Sequence, residues 1–98
     1  MLIIHLMVNN KFIPPFIKFV NKHFNQTEHL FFLIGNASNE YEMDPSIENV
    51  VWVESEKQYV LLQIYLNKAD KILLHGLYDL RIKQILFNQP WILKNVFG

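Results

Sequence analysis

The stretch that decides the fold is Asp70-Lys-Ile-Leu-Leu-His-Gly-Leu-Tyr-Asp-Leu80. Its continuous apolar run, residues 72–74, predicts a short strand covered on both faces. The run stops at His75-Gly76, where Gly76 permits a sharp exit. Asp79 is placed to cap the helix that follows, because a carboxylate can accept from the unpaired N–H groups of a first turn. Strand, tight turn, helix is the unit of an open parallel sheet, and in such sheets ligands bind beyond the carboxyl ends of the strands. His75 and Gly76 are therefore the first candidates for a site.

Working outward, the same pattern recurs. Residues 2–7 read as a first strand with His5 as its one polar residue. Residues 12–24 follow as a helix, with Ile13, Phe16, Ile17, Val20 and Phe24 on one face and Lys18, Asn21, Lys22 and Asn25 on the other. Pro14 and Pro15 fit only in its first turn, where their missing N–H groups are not needed. Residues 30–34 are a second buried strand, residues 36–49 a polar loop and residues 50–53 a third strand. Ser55 and Gln58 form a capping box, and Val60, Leu61, Ile64 and Tyr65 mark the apolar face of the next helix. A third helix spans residues 80–87, broken at Asn88-Gln89-Pro90, with an apolar tail over residues 91–98 that resembles the start of a fifth strand.

Alternating strands and helices with apolar strands define an α/β fold, half of a Rossmann-like parallel sheet in the order 3-2-1-4. One apparently truncated domain, residues 1–98, is expected. If the fifth strand is missing, the fourth has an open edge, and Trp91, Ile92, Val96 and Phe97 also lack their cover. Self-association through that end follows as an expectation.

Composition excludes several functions. Nine Lys and Arg balance nine Asp and Glu, which argues against a nucleic-acid binder. Cysteine is absent, so disulfides and thiolate metal sites are excluded. Three glycines cannot supply a dinucleotide fingerprint or a phosphate loop, and no cofactor is expected. No signal peptide or membrane span is recognisable, so a cytoplasmic location is expected.

Four histidines lack metal-ligand spacing, and no metal is expected. His5 reads as a satisfied core residue, and His23 and His29 as surface residues. Glu40, Glu42 and Asp44 read as a solvated loop. Asn10 and Lys11 follow the first strand and Gly76 and Tyr78 the fourth. Neighbouring first and fourth strands would gather these four residues with His75. That set offers an amide, a cation, an imidazole and an aromatic face.

Four segments carry a family resemblance: Ile3-Ile-His-Leu-Met7, Lys11-Phe12 opening a helix, His29-Leu-Phe-Phe-Leu-Ile-Gly35, and Lys71-Ile-Leu-Leu-His-Gly-Leu77. In order and spacing the chain resembles the N-terminal part of the TDP-N-acetylfucosamine:lipid II N-acetylfucosaminyltransferases (4-acetamido-4,6-dideoxygalactosyltransferases). The resemblance implies the acceptor-side domain of a GT-B glycosyltransferase. Such an enzyme would move a dideoxy-acetamido sugar from a TDP-sugar to an undecaprenyl-pyrophosphate-linked saccharide. It would work peripherally at the inner membrane face, in assembly of a polysaccharide of the enterobacterial common antigen or O-antigen type. His75 would be the catalytic candidate, with Asn10, Lys11, Gly76 and Tyr78 binding substrate. The chain departs from the family at Asn9-Asn10, where acidic residues are frequent, and it stops before the Trp-x-x-Trp-Gly-x-Asp-x-Tyr region. A missing C-terminal donor domain is thus implied as a partner, and no turnover is expected from these residues alone. The competing expectation is a non-catalytic α/β interaction module or the remnant of a truncated gene.

Overall fold

A computed structural model describes residues 1–8, 10–34, 44, 46–75 and 80–97, with backbone only for residues 80–82. Its core is a five-stranded parallel sheet in the order β3-β2-β1-β4-β5. The strands are β1 (Ile3–Val8), β2 (His29–Ile34), β3 (Val50–Val53), β4 (Lys71–His75) and β5 (Val96–Phe97). Helix α1 (Ile13–His23) follows β1, α2 (Glu56–Lys68) follows β3, and α3 (Leu80–Asn88) lies between β4 and β5. Short 3-10 turns precede β2 (Gln26–Glu28) and β5 (Pro90–Asn95).

The strands are apolar on both faces because helices cover both. Met7, Phe31 and Leu33 pack with Ile13, Ile17 and Val20 of α1. On the opposite face Ile4, Leu6, Phe32 and Ile72 pack with Tyr59, Leu62 and Leu66 of α2 and Ile85 and Leu86 of α3. Successive side chains of β1 thus alternate between two dry layers. Right-handed crossovers explain which helix goes where. The step from β1 to β2 runs one way along the sheet and puts α1 on one face. The steps to β4 and β5 run the other way and put α2 and α3 on the other. The direction reverses between β1 and β4, and that is where open α/β sheets form their crevice.

Local chemistry fixes the ends of the elements. The Asn10 side-chain oxygen accepts from the Phe12 N–H at 2.8 Å, and its backbone carbonyl accepts from the Ile13 N–H at 3.1 Å, which opens α1. The Gln58 side-chain oxygen accepts from the backbone N–H groups of Glu54 (2.7 Å) and Ser55 (3.0 Å), the capping-box contact expected of this pair. Asp70 Oδ2 accepts from the Leu2 N–H at 2.6 Å, and the Asp70 N–H donates to the Leu2 carbonyl at 2.8 Å. That clamp sets the register of β4 on β1.

Three expectations need correction. The buried face of α2 is Tyr59, Leu62 and Leu66, whereas Val60, Leu61 and Ile64 are exposed. This helix is apolar on several sides, so spacing alone leaves its phase open, and the strand surface decides. Phe24 lies beyond α1 and is more than half exposed. The fifth strand is present: Val96 pairs with Ile72 and Phe97 with Leu73, which covers the first part of the β4 edge. Ile92 is buried in the core, while Trp91 and Phe97 stay exposed. The Trp91 indole N–H donates to Asn67 Oδ1 at 2.6 Å, and Asn67 also donates to Gln89, so the tail is fastened to α2. Asp79, Glu40 and Glu42 lie outside the described residues. Asp44 accepts from the Ser46 N–H and hydroxyl, which hold its carboxyl below the usual range.

Candidate functional site

His75 closes β4 and pairs in register with Met7 of β1. Its side chain shares the α1 face with His5, two positions back along the neighbouring strand. His29 opens β2 opposite Ile3, again on that face. Strand geometry therefore lines up three imidazoles diagonally across three strands. His5 Nδ1 lies 3.0 Å from His75 Nε2, and His5 Nε2 lies 2.9 Å from His29 Nδ1. Both distances are those of hydrogen bonds.

Aromatic rings enclose the row. His5 stacks on Phe31 with ring centres 4.4 Å apart, and its rings with His75 and His29 are each 5.2 Å apart. Phe16 of α1 covers it, 5.0 Å from His75 and 5.9 Å from His5. His5 is 2% exposed. Burial, then the nearness of His75 and His29, pushes its pKa down to about 3. Burial also lowers His75. It lowers His29 too, where Glu28 opposes the shift. The row is thus neutral near pH 7, and each ring has one donor and one acceptor nitrogen.

Both nitrogens of His5 face other rings, so the three imidazoles do not converge on one point. Among the described residues no group of three or more His, Cys, Asp or Glu is arranged to hold a metal.

The sequence-predicted residues divide as follows. His75, Asn10 and Lys11 lie at the carboxyl end of the sheet, at the β1–β4 reversal. The Asn10 side-chain oxygen is engaged in the turn that opens α1. Lys11 is exposed, its ammonium 5.0 Å from the centre of the Phe12 ring. Gly76 and Tyr78 lie outside the described residues. His5 is the satisfied core histidine its setting implied. His29 is not a simple surface residue: it is half-buried and bonded to His5. Starting the second strand at Leu30 left it out. Extending that strand by one residue puts His29 on the His5 face.

A cleft of about 400 Å³ opens at the amino end of the sheet, with His29, Thr27, Glu48, Asn49 and Tyr65 among its walls. It is built from the segments that lead into β1, β2 and β3, so no single motif announces it. No helix among the described residues is long and apolar enough to cross a membrane.

Geometry defines the chain as an α/β protein with a Rossmann-like half-sheet and a histidine row beside its reversal point. No family model, curated protein or solved structure matches the chain.

Proposed function

We propose that this chain is the acceptor-side domain of a glycosyltransferase that uses a TDP-sugar and a lipid-linked saccharide acceptor. The observation that carries the reading is His75. It stands at the reversal point as a neutral imidazole whose Nε2 faces His5 Nδ1 at 3.0 Å. A neutral imidazole can take the proton of an acceptor hydroxyl as that oxygen attacks the sugar. Lys11, in the turn at the same sheet end, supplies a cation for a pyrophosphate. The departing nucleotide diphosphate would be held by a donor domain, a role no residue described above fills.

The test is binding. Addition of an undecaprenyl-pyrophosphate-linked saccharide in detergent micelles should perturb the NMR signals of His75 and Lys11 and leave those of α2 unchanged. Unperturbed signals at His75 would remove the assignment. In the complete enzyme, His75→Ala should lower transfer about a hundredfold, the usual contribution of a general base, and change the melting temperature by only a few degrees. A stable variant with near-normal transfer would remove the catalytic role.

Peripheral placement at the inner membrane face belongs to the same reading. Lys18 and Lys22 are exposed on α1. Each is worth roughly 1 kcal/mol near an anionic surface. Two are too few for stable anchoring, so binding to anionic vesicles should be weak and should vanish at high salt. Sedimentation with vesicles that is insensitive to salt would count against it.

A non-catalytic interaction module is the second reading, and the exposed Val60, Leu61 and Ile64 on α2 favour it. Under that reading the acceptor leaves His75 untouched and a protein partner perturbs α2.

A further inference from the structure

We propose that His29, His5 and His75 act as one proton-transfer unit through the sheet, linking the reversal-point site at its carboxyl end to the cleft at its amino end. The proposal rests on the acceptor-side reading for what happens at His75, and on geometry alone for the row itself.

The chemistry follows from His5. A neutral imidazole has one N–H and one lone pair, and each His5 nitrogen faces a histidine nitrogen. Two arrangements satisfy both contacts. In one, His75 Nε2–H donates to His5 Nδ1 and His5 Nε2–H donates to His29 Nδ1, so all three rings carry the proton on Nε2. In the other, His29 Nδ1–H donates to His5 Nε2 and His5 Nδ1–H donates to His75 Nε2, so all three carry it on Nδ1. Mixed arrangements leave two lone pairs or two protons facing each other.

Transfer converts one arrangement into the other. Starting with every proton on Nε2, an acceptor hydroxyl gives its proton to His75 Nδ1. His75 passes its Nε2 proton to His5 Nδ1, and His5 passes its Nε2 proton to His29 Nδ1. His29 then releases its Nε2 proton to water in the cleft. One proton enters, one leaves, and every ring ends neutral. The row resets when His29 Nε2 takes a proton from water and His75 Nδ1 releases one at the other end.

The surroundings suit this. Phe31 and Phe16 shield His5, which is buried, while His29 lines the cleft. Among the described residues, charged groups stand at both ends of the row, Lys11 in the turn at the His75 end and Glu28 and Glu48 at the cleft end. Glu28 acts on His29 and pairs with the terminal ammonium of Met1 at 3.7 Å, and Glu48 lines the same cleft. His29 and Phe31 of β2, His75 of β4 and Phe16 of α1 face His5, so the titratable groups against it are the two other histidines. His75 and His29 cannot both be protonated while both contacts persist, because His5 would then have to accept twice. The two ends should therefore titrate against each other.

Nitrogen-15 NMR of the imidazoles in the free protein tests this without substrate. All three rings should report the same protonated nitrogen at pH 7.5. His29→Phe should raise the titration midpoint of His75 by about 1 pH unit, the scale expected of coupled sites. In a His5→Leu background, His29→Phe should leave that midpoint unmoved. Different protonated nitrogens among the three rings in the parent protein would overturn the proposal, and this reading needs no variant to fold. An unshifted His75 in His29→Phe would overturn it too. Like tautomers with no acceptor binding would leave the row standing and remove the glycosyltransferase reading. Mixed tautomers with normal acceptor binding would do the reverse.

Discussion

On lowering the pH from 7 to 4.5 the protein should lose about 3 kcal/mol of stability through His5 alone, and His5→Leu should abolish that part of the loss. Unfolded, His5 titrates at its ordinary value of 6.5, and folded at about 3. Between those values the unfolded chain binds the proton that the folded one refuses, so stability falls as pH falls. Above pH 6.5 both states are neutral and nothing is lost. Two pH units below 6.5, at about 1.4 kcal/mol per unit, give the ~3 kcal/mol figure. Carried down to pH 3 the loss reaches about 4 kcal/mol, a large share of the whole stability of many small domains. His29 and His75 are lowered as well and add losses of the same sign. Urea titrations of both proteins at pH 7 and pH 4.5 give the answer. His5→Leu should be less stable at pH 7, because it leaves His29 Nδ1 and His75 Nε2 without a partner, yet less sensitive to acid. An equal acid loss in parent and variant would refute the burial argument.

The second large effect is at Asn49. The residue is 8% exposed, and its amide joins three segments. It donates to Asn21 Oδ1 at 2.8 Å and to the His29 carbonyl at 3.0 Å, and accepts from Asn21 at 3.0 Å and Gln26 at 3.5 Å. Its backbone carbonyl takes the Phe31 N–H at 2.9 Å, next to the β2–β3 pairing. Asn49→Leu keeps the volume and removes every side-chain bond. The His29 carbonyl and the Asn21 amide are then partly stranded, and each stranded polar group costs about 1–3 kcal/mol. A total near 3 kcal/mol is expected. Asn21→Ala should cost less, about 1 kcal/mol, because Asn21 is half-exposed and Asn49 keeps its bond to the His29 carbonyl. Chemical denaturation of both variants decides the order. Equal losses would mean that the reciprocal amide pair, and not the bond to His29, is what Asn49 contributes.

These two residues also mark what the sequence could and could not disclose. The strands were legible because burial on both faces leaves continuous apolar runs, and residues 50–53 were bounded correctly on that ground alone. The strand order followed from crossover handedness. The capping box was legible because Gln58 acts on backbone three and four positions away. Long-range polar contacts were not legible. Asn49 looked like the end of a polar loop, since nothing local shows that it will be buried against α1 and β2. His29 looked like a surface residue for the same reason, because its partner is on another strand. The phase of α2 was illegible because its apolar residues encircle it. The fifth strand was underread because two residues give no periodicity. His75 could be singled out from its strand end, but the row behind it needed three registers at once.

The clamp between Leu2 and Asp70 carries a further consequence, for the order in which the chain assembles. The strand at the centre of the sheet precedes the other four in the chain, yet one of its two neighbours arrives only after Asp70. During translation β1 can pair with β2 on one side while its other edge waits. At the usual ~5–20 residues per second that wait lasts on the order of seconds. Throughout it, Ile4 and Leu6 show an unpaired apolar edge, the kind of surface that captures stray strands. Such sequence-distant pairing also slows spontaneous refolding. The emerging chain is therefore most vulnerable to aggregation in the interval between its second and fourth strands, and a holding chaperone would act on it there.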